Sequence, residues 1–222
     1  MNAMPTKCRI LIVDDHPMVR ERLAEVIKSE PDLLICGEAE TRLQALQLVV
    51  QTHPDLVLLD LNLKDSQGTE VIKDIVAQKP RLRVLVISMH DESLFAERAI
   101  RAGACGYITK QEATKNVLVA IRKVLGGELY FSETLAKKLL ANLAGGIQGP
   151  AVPSVDLLSD RELQVLRLLG LGRSTRQAAK DLHLEFSTVE TYRTRIKDKL
   201  NLNDANDLVQ YAINWVRSSG QV

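Results

Sequence analysis

The sequence predicts two units of different class: an α/β doubly wound (βα)5 domain, then a small all-α unit containing a helix-turn-helix. Three observations carry this. Short β-branched runs alternate with helix-period stretches through the first part of the chain. The segment Ala144–Ser154 (AGGIQGPAVPS) is too rich in glycine and proline to hold a helix or strand. Beyond it, from Leu157 to Val216, no β-rich run appears.

The β runs are Arg9–Val13, Leu33–Cys36, Leu56–Leu59, Val84–Ile87 and Gly106–Ile108. Near-continuous apolar strands imply burial on both faces, hence a parallel sheet. Between them, apolar residues recur at helical spacing: Val19, Leu23, Val26 and Ile27; Val71, Ile72, Ile75 and Val76; Ala96, Ala99 and Ile100. A joining helix is expected at about Glu133–Leu143. In the second unit, Ser159-Asp160-Arg161-Glu162 is a capping-box pattern, and it opens a helix carrying Leu163, Val165, Leu166 and Leu169. Gly170 and Gly172 end that helix, and Ser174 caps a second one through about Leu182. Phe186 or Ser187 opens a third, with Val189, Tyr192, Ile196 and Leu200. A fourth spans about Asp204–Val216, and its Leu208, Tyr211, Ala212 and Trp215 serve the small core, a dimer interface, or both. Short helices joined by tight turns make a helix-turn-helix. The expected boundaries are residues 7–125, a connecting helix and linker at 126–153, and 154–217.

Composition narrows the classes. Of 222 residues, 45% are hydrophobic and 26% charged, which excludes disordered, collagen-like and membrane-embedded chains. No apolar run approaches the roughly 20 residues of a spanning helix. Met1–Arg9 has no apolar core of its own, so no signal peptide is expected. Cys8, Cys36 and Cys105 are isolated and odd in number, which points to reduced thiols in the cytoplasm. The net charge of +1 argues weakly against a nucleic-acid partner until it is divided. Arg193, Arg195, Lys197 and Lys199 crowd one segment of the third helix of the second unit, opposed only by Asp198. A solvated charged face is the alternative reading of that cluster.

In doubly wound sheets, function gathers at the carboxyl ends of the strands. There the first run meets Asp14-Asp15, the third Asp60 and the fourth Ser88, while the fifth continues Tyr107-Ile108-Thr109-Lys110. A single aspartate after a strand is usually a helix cap. Three of them with a lysine call for a hard divalent cation with oxygen ligands, Mg²⁺ above others. A carboxylate beside a cation and an ammonium is a phosphoryl acceptor. Mg²⁺ and Lys110 would neutralise phosphoryl oxygens, and Ser88 would donate a hydrogen bond to one. An aspartate-dependent phosphohydrolase is the rival, but it needs a general acid two residues on, where Asn62 stands. The expectation is an acceptor without steady turnover, not an enzyme. His16, His53, His90 and His183 show no metal-ligand spacing. His90, two residues after Ser88, is expected at the pocket rim, influencing water attack on the acyl phosphate.

Asp14-Asp15, Asp60, Ser88 and Lys110 at these strand ends resemble the receiver domain of two-component response regulators, over about residues 7–125. The resemblance implies a flavodoxin-like fold with Asp60 phosphorylated by a sensor histidine kinase. It implies Mg²⁺ held by Asp15, Asp60 and the Asn62 carbonyl, with Asp14 acting through water. It also makes Ser88 the switch hydroxyl and Tyr107 its aromatic partner, although a core role for Tyr107 stays open, and it puts Gly68 at the start of the third helix. Lys64 and Gln111 stand where the family often has proline, so a cis bond after Lys110 is not assumed.

Leu158-Ser159-Asp160-Arg161-Glu162, Gly172, Ala178-Ala179, Ser187-Thr188-Val189-Glu190-Thr191-Tyr192-Arg193 and Lys199-Leu200 resemble the LuxR-type DNA-binding domain, over about residues 154–217. The whole chain thus resembles response regulators of the NarL/FixJ type. That implies Thr175–Leu182 as supporting helix and Ser187–Leu200 as recognition helix in the major groove of promoter DNA. Thr188, Glu190, Thr191 and Thr194 lie toward its DNA-reading half, and the last three are the base-facing candidates; Arg193, Arg195, Lys197 and Lys199 are phosphate candidates. Glu190 and Tyr192 replace a frequent basic residue and a frequent histidine. A homodimer when active and contact with RNA polymerase are further implied, and a membrane is not. Binding of a protein by the helical unit remains the other open reading.

Overall fold

The structure is a computed structural model, and it describes residues 7–63, 66, 68–89, 92–133, 135–137 and 155–218. The Gly/Pro joint, most of the expected joining helix, Lys64 and His90 lie outside the described residues. The chain divides into two compact units, Met1–Gly146 and Ile147–Val222.

In the first unit, β1 (Cys8–Val13), β2 (Leu33–Ala39), β3 (Leu56–Leu59), β4 (Arg83–Ser88) and β5 (Gly106–Thr109) form one sheet, in the order β2-β1-β3-β4-β5. All four pairings are parallel. Every residue of β3 is buried, as a central strand covered on both faces requires. The helices are α1 (Pro17–Lys28), α2 (Arg42–Thr52), α3 (Gly68–Gln78), α4 (Glu92–Ala102) and α5 (Lys110–Leu125). Pro17 starts α1 where its missing N–H costs nothing, and Thr41 caps α2 by accepting from the Gln44 amide. The strand order reverses direction at β1 and β3, which opens the crevice where ligands of such sheets bind. At the other end of these two strands, the Arg9 amide donates to Asp55 Oδ2 at 2.7 Å and the Asp55 amide donates to the Arg9 carbonyl at 2.8 Å.

In the second unit, a 3₁₀ turn (Val155–Leu157) leads into α6 (Asp160–Gly170), α7 (Thr175–Asp181), α8 (Phe186–Leu200) and α9 (Ala205–Ser218). The Ser159 and Ser174 caps form as the sequence predicts, each completed by the residue three positions on, Glu162 or Gln177. The core is Leu163, Val165, Leu166, Leu169, Ala178, Val189, Ile196, Leu200, Leu208, Ala212 and Val216. On α9, Leu208 and Ala212 are therefore core, while Tyr211 and Trp215 are half-buried. Among the described residues no helix is long and apolar enough to cross a membrane.

Two glycines are fixed by close approach. A Cβ on Gly68 would lie 2.4 Å from the Leu61 Cα, and one on Gly170 would lie 2.4 Å from the Ala212 carbonyl oxygen. Backbone on the other side leaves no flexible atom to yield. Gly68→Ala and Gly170→Ala are each expected to destabilise their own unit by about 1–3 kcal/mol. Urea unfolding monitored by circular dichroism checks this, with Gly126→Ala, whose Cβ would meet nothing closer than 3.3 Å, as the milder control.

Candidate functional site

Asp14 and Asp60 each follow the last residue of a central strand. Because Val13 and Leu59 are register partners, the two carboxylates emerge side by side. The Asp60 amide donates to the Val13 carbonyl at 2.8 Å and locks that placement. Asp14, Asp15, Asp60 and Ser88 are all buried. Lys110 is the first residue of α5, whose start is fixed by Thr109 and Glu112 in a reciprocal capping box. From there Nζ reaches Asp14 Oδ2 at 2.7 Å and Asp60 Oδ2 at 2.8 Å. The four strand ends thus bring together the acids, the hydroxyl and the ammonium that the sequence nominated.

Burial pushes the Asp60 carboxyl above the usual carboxylate range; the Lys110 ammonium opposes this, and the Asp14 charge adds to it. For Lys110, burial works against the charged form, but Asp60 and Asp14 outweigh it and hold the ammonium above its ordinary value. The Asn62 amide donates to Asp60 Oδ1 at 3.1 Å, bending the chain after β3 back over the Asp60 carboxylate. Tyr107 is fully buried at the middle of β5, with its amide bonded to the Tyr130 carbonyl at 2.8 Å.

Two residues of this pocket escaped sequence reasoning. His16 shows no metal-ligand spacing in the sequence, yet its Nδ1 lies 2.6 Å from Asp15 Oδ1 and 3.2 Å from Asp14 Oδ1. Spacing in sequence gave no hint beyond its adjacency to the acid pair. Arg20 is buried, donates Nη1 to the Asp14 carbonyl at 2.7 Å and pairs with Glu40 at 2.5 Å. A charged residue in register with Leu23, Ala24 and Ile27 on the buried face of α1 was the available signal. Ligand atoms of Asp14, Asp15, His16 and Asp60 all lie within 4.8 Å of one another. That cluster can hold a metal ion, and its mostly carboxylate donors suit a hard one.

On α8, Val189, Ile196 and Leu200 face the core. The opposite side exposes Ser187, Thr191, Thr194, Arg195 and Asp198, with Thr188, Glu190 and Lys197 half-buried at its flanks. The four basic residues divide. Arg193 is mostly buried, pairs with Glu190 at 3.0 Å and donates to Thr175 Oγ1 on α7. Lys199 pairs at 2.6 Å with Glu162, a buried carboxylate that also caps α6. Arg195 and Lys197 have no ion pair among the described residues. Thr191 and Thr194 donate their hydroxyls to the carbonyls of Ser187 and Glu190, at 2.9 and 3.2 Å.

Residues 10–122 match the model of the response regulator receiver domain, and residues 156–212 match that of the bacterial regulatory proteins, luxR family. The chain is 37% identical to the transcriptional activator protein ExaE of Pseudomonas putida, covering 92% of this chain and 95% of that one. It is 34% identical to the virulence factors putative positive transcription regulator BvgA of Bordetella pertussis, over 92% and 96% of the two chains. A crystal structure of a LuxR-family two-component response regulator from Aurantimonas sp. SI85-9A1 superposes with TM-score 0.57 at 34% identity, covering 63% of this chain and 99% of that one. RcsB from Salmonella enterica serovar Typhimurium, bound to promoter rprA, shares the fold with TM-score 0.57 at 22% identity, over 93% and 98%.

The raised Asp60 carboxyl has a consequence for stability. Below its unfolded value the group is protonated in both states and costs nothing. Between the unfolded and folded values the cost of ionising it in the fold accumulates, and above the folded value it is complete. Asp60→Asn is therefore expected to gain stability relative to wild type as pH rises toward neutrality, with the difference closing on acidification. Thermal unfolding of both chains across pH measures it.

Proposed function

The chain belongs to the two-component response regulators, with a receiver domain followed by a LuxR-type DNA-binding domain, and from that we propose that phosphorylation of Asp60 by a sensor histidine kinase controls its binding to promoter DNA. One observation carries the choice of acceptor: Asp60 is the buried carboxylate at the end of β3 that Lys110 contacts beside Asp14. In the transfer, an Asp60 carboxylate oxygen forms a bond to phosphorus as the phosphorus–nitrogen bond of the kinase phosphohistidine breaks. Lys110 remains to neutralise the phosphoryl oxygens, and Ser88 donates to one of them. Asp14, Asp15, Asp60 and the carbonyl of Asn62 would hold Mg²⁺, which suits their oxygen donors. When bound, the ion supplies positive charge against the transferring group.

Asn62 cannot act as a general acid, so we read the receiver as an acceptor that releases its phosphate slowly and not as an enzyme of steady turnover. Phosphate shifts an equilibrium only by favouring one of two conformations. Ser88 and Tyr107 are the residues we assign to that change, with Tyr107 in its inward position here. The helical unit then binds promoter DNA as a homodimer in the cytoplasm, with α8 in the major groove and RNA polymerase as a further partner. Arg195 and Lys197, free of ion pairs among the described residues, are the α8 cations best placed for phosphates.

Acetyl phosphate with Mg²⁺ is expected to add one phosphoryl mass to the wild-type chain and none to Asp60→Ala, read by intact-mass spectrometry; steady release of phosphate over many turnovers would favour the phosphohydrolase reading instead. For the output unit, Arg195→Ala should weaken binding to all duplexes alike and lower the slope of log affinity against log salt by about 0.9. Glu190→Ala should relax sequence preference by about 1–3 kcal/mol at one base pair. Gel shifts over a panel of sites and salt concentrations separate the two, and equal loss in both variants would remove this division of roles.

A further inference from the structure

Arg193 has the charge of a phosphate ligand but not the surroundings. Its side chain is mostly buried, and its Nη1 is shared between Thr175 Oγ1 and Glu190 Oε1. Thr175 is itself buried at the first turn of α7, just past the Ser174 cap. The guanidinium therefore links the supporting helix to the recognition helix and ends on a carboxylate. Glu190 lies one turn before Arg193 on α8, at the flank of the outward face, and is about half exposed. Its Oε1 is engaged, whereas its Oε2 has no partner among the described residues. A carboxylate on a recognition helix is repelled by phosphates and is tolerated where it meets a hydrogen-bond donor. In the major groove that donor is an exocyclic amino group, cytosine N4 being the usual one.

We propose that Arg193 is a positioning residue: anchored on Thr175, it aims the Glu190 carboxylate at a cytosine amino group and does not itself bind phosphate. The proposal rests on the reading that this unit binds DNA. The other two base-facing candidates fit the same division. Thr191 and Thr194 have given their hydroxyls to their own helix, so their methyl groups are what they offer to a base pair. Among these three side chains, polar selectivity then depends on the direction of the single carboxylate. Arg193 fixes that direction through its anchor on a second helix, which a lone exposed glutamate could not do for itself.

The test uses the full chain with Mg²⁺ and beryllium fluoride as acyl-phosphate mimic, and a randomised double-stranded DNA library as probe. Wild type is expected to select a motif containing cytosine at one fixed position in each half-site. Thr175→Val keeps every charge and removes only the anchor; it should lower the preference for that cytosine at least about five-fold, the low end for one base contact, with the salt slope unchanged. Arg193→Met should lose the same preference and change the slope by less than half of the roughly 0.9 expected for one phosphate contact. Glu190→Gln should move the preference toward adenine, which an amide reads bidentately. The proposal is overturned if Arg193→Met lowers the slope by about 0.9 with the motif intact. It is equally overturned if Thr175→Val or Glu190→Gln leaves the motif as in wild type. Should Arg193→Met fail to fold by circular dichroism, the other two variants decide. A wild-type chain that selects no motif and shows no salt-dependent binding refutes the DNA reading itself, a result distinct from a selected motif indifferent to Thr175.

Discussion

The contact on which the receiver unit depends is the ammonium of Lys110 held between Asp14 and Asp60. Two buried carboxylates side by side repel each other, and burial penalises both charges. A sheet that ends its central strands in acids is therefore stable only with a cation among them. The capping box at Thr109 makes this contact reliable, because it starts α5 at the residue whose side chain must reach back across β4 toward β3 and β1. The arrangement is a tension held in balance. Asp60 remains harder to ionise than an exposed aspartate even with Lys110 beside it. Added charge or an added cation acts directly on such a site, which suits the phosphoacceptor role proposed for Asp60.

The helical unit follows a different logic. Its basic residues are not a uniform patch. Glu162 holds Lys199, Glu190 and Thr175 hold Arg193, and only the other two α8 cations are left without ion pairs among the described residues. Four charges within seven positions thus do two kinds of work, some fixing the helices relative to one another and some left for solvent or phosphate. This explains how a nearly neutral unit can carry a DNA-binding helix.

Much of this was legible in the sequence. The β runs were found because a parallel sheet buries both faces and leaves long apolar stretches, and β3 begins and ends where Leu56–Leu59 does. Ser159 and Ser174 were readable because capping is local chemistry with a fixed offset. The pocket acids were found because the topology gathers strand ends. What escaped was tertiary. His16 and Arg20 matter through neighbours that only folding brings near, and β2 runs on to Ala39 through a glycine and a glutamate that read as breaks. The pairing of Arg193 with Thr175 spans 18 residues and two helices, and no periodicity announces it.

The β3 strand hides a further demand. In a strand apolar at every position, alternation carries no phase, so the hydrophobic pattern alone would accept a slip of one residue. Such a slip would turn Asp60 to the opposite face of the sheet and leave Lys110 with nothing to bridge. The phase comes instead from a polar pin at one end of the β1–β3 pair, where the Arg9 amide donates to the Asp55 side chain. The position of Asp60 is thus set partly by a carboxylate at the far end of the strand pair, and an insertion or deletion of one residue between Asp55 and Asp60 would move Asp60 out of the pocket while leaving a strand that still looks complete.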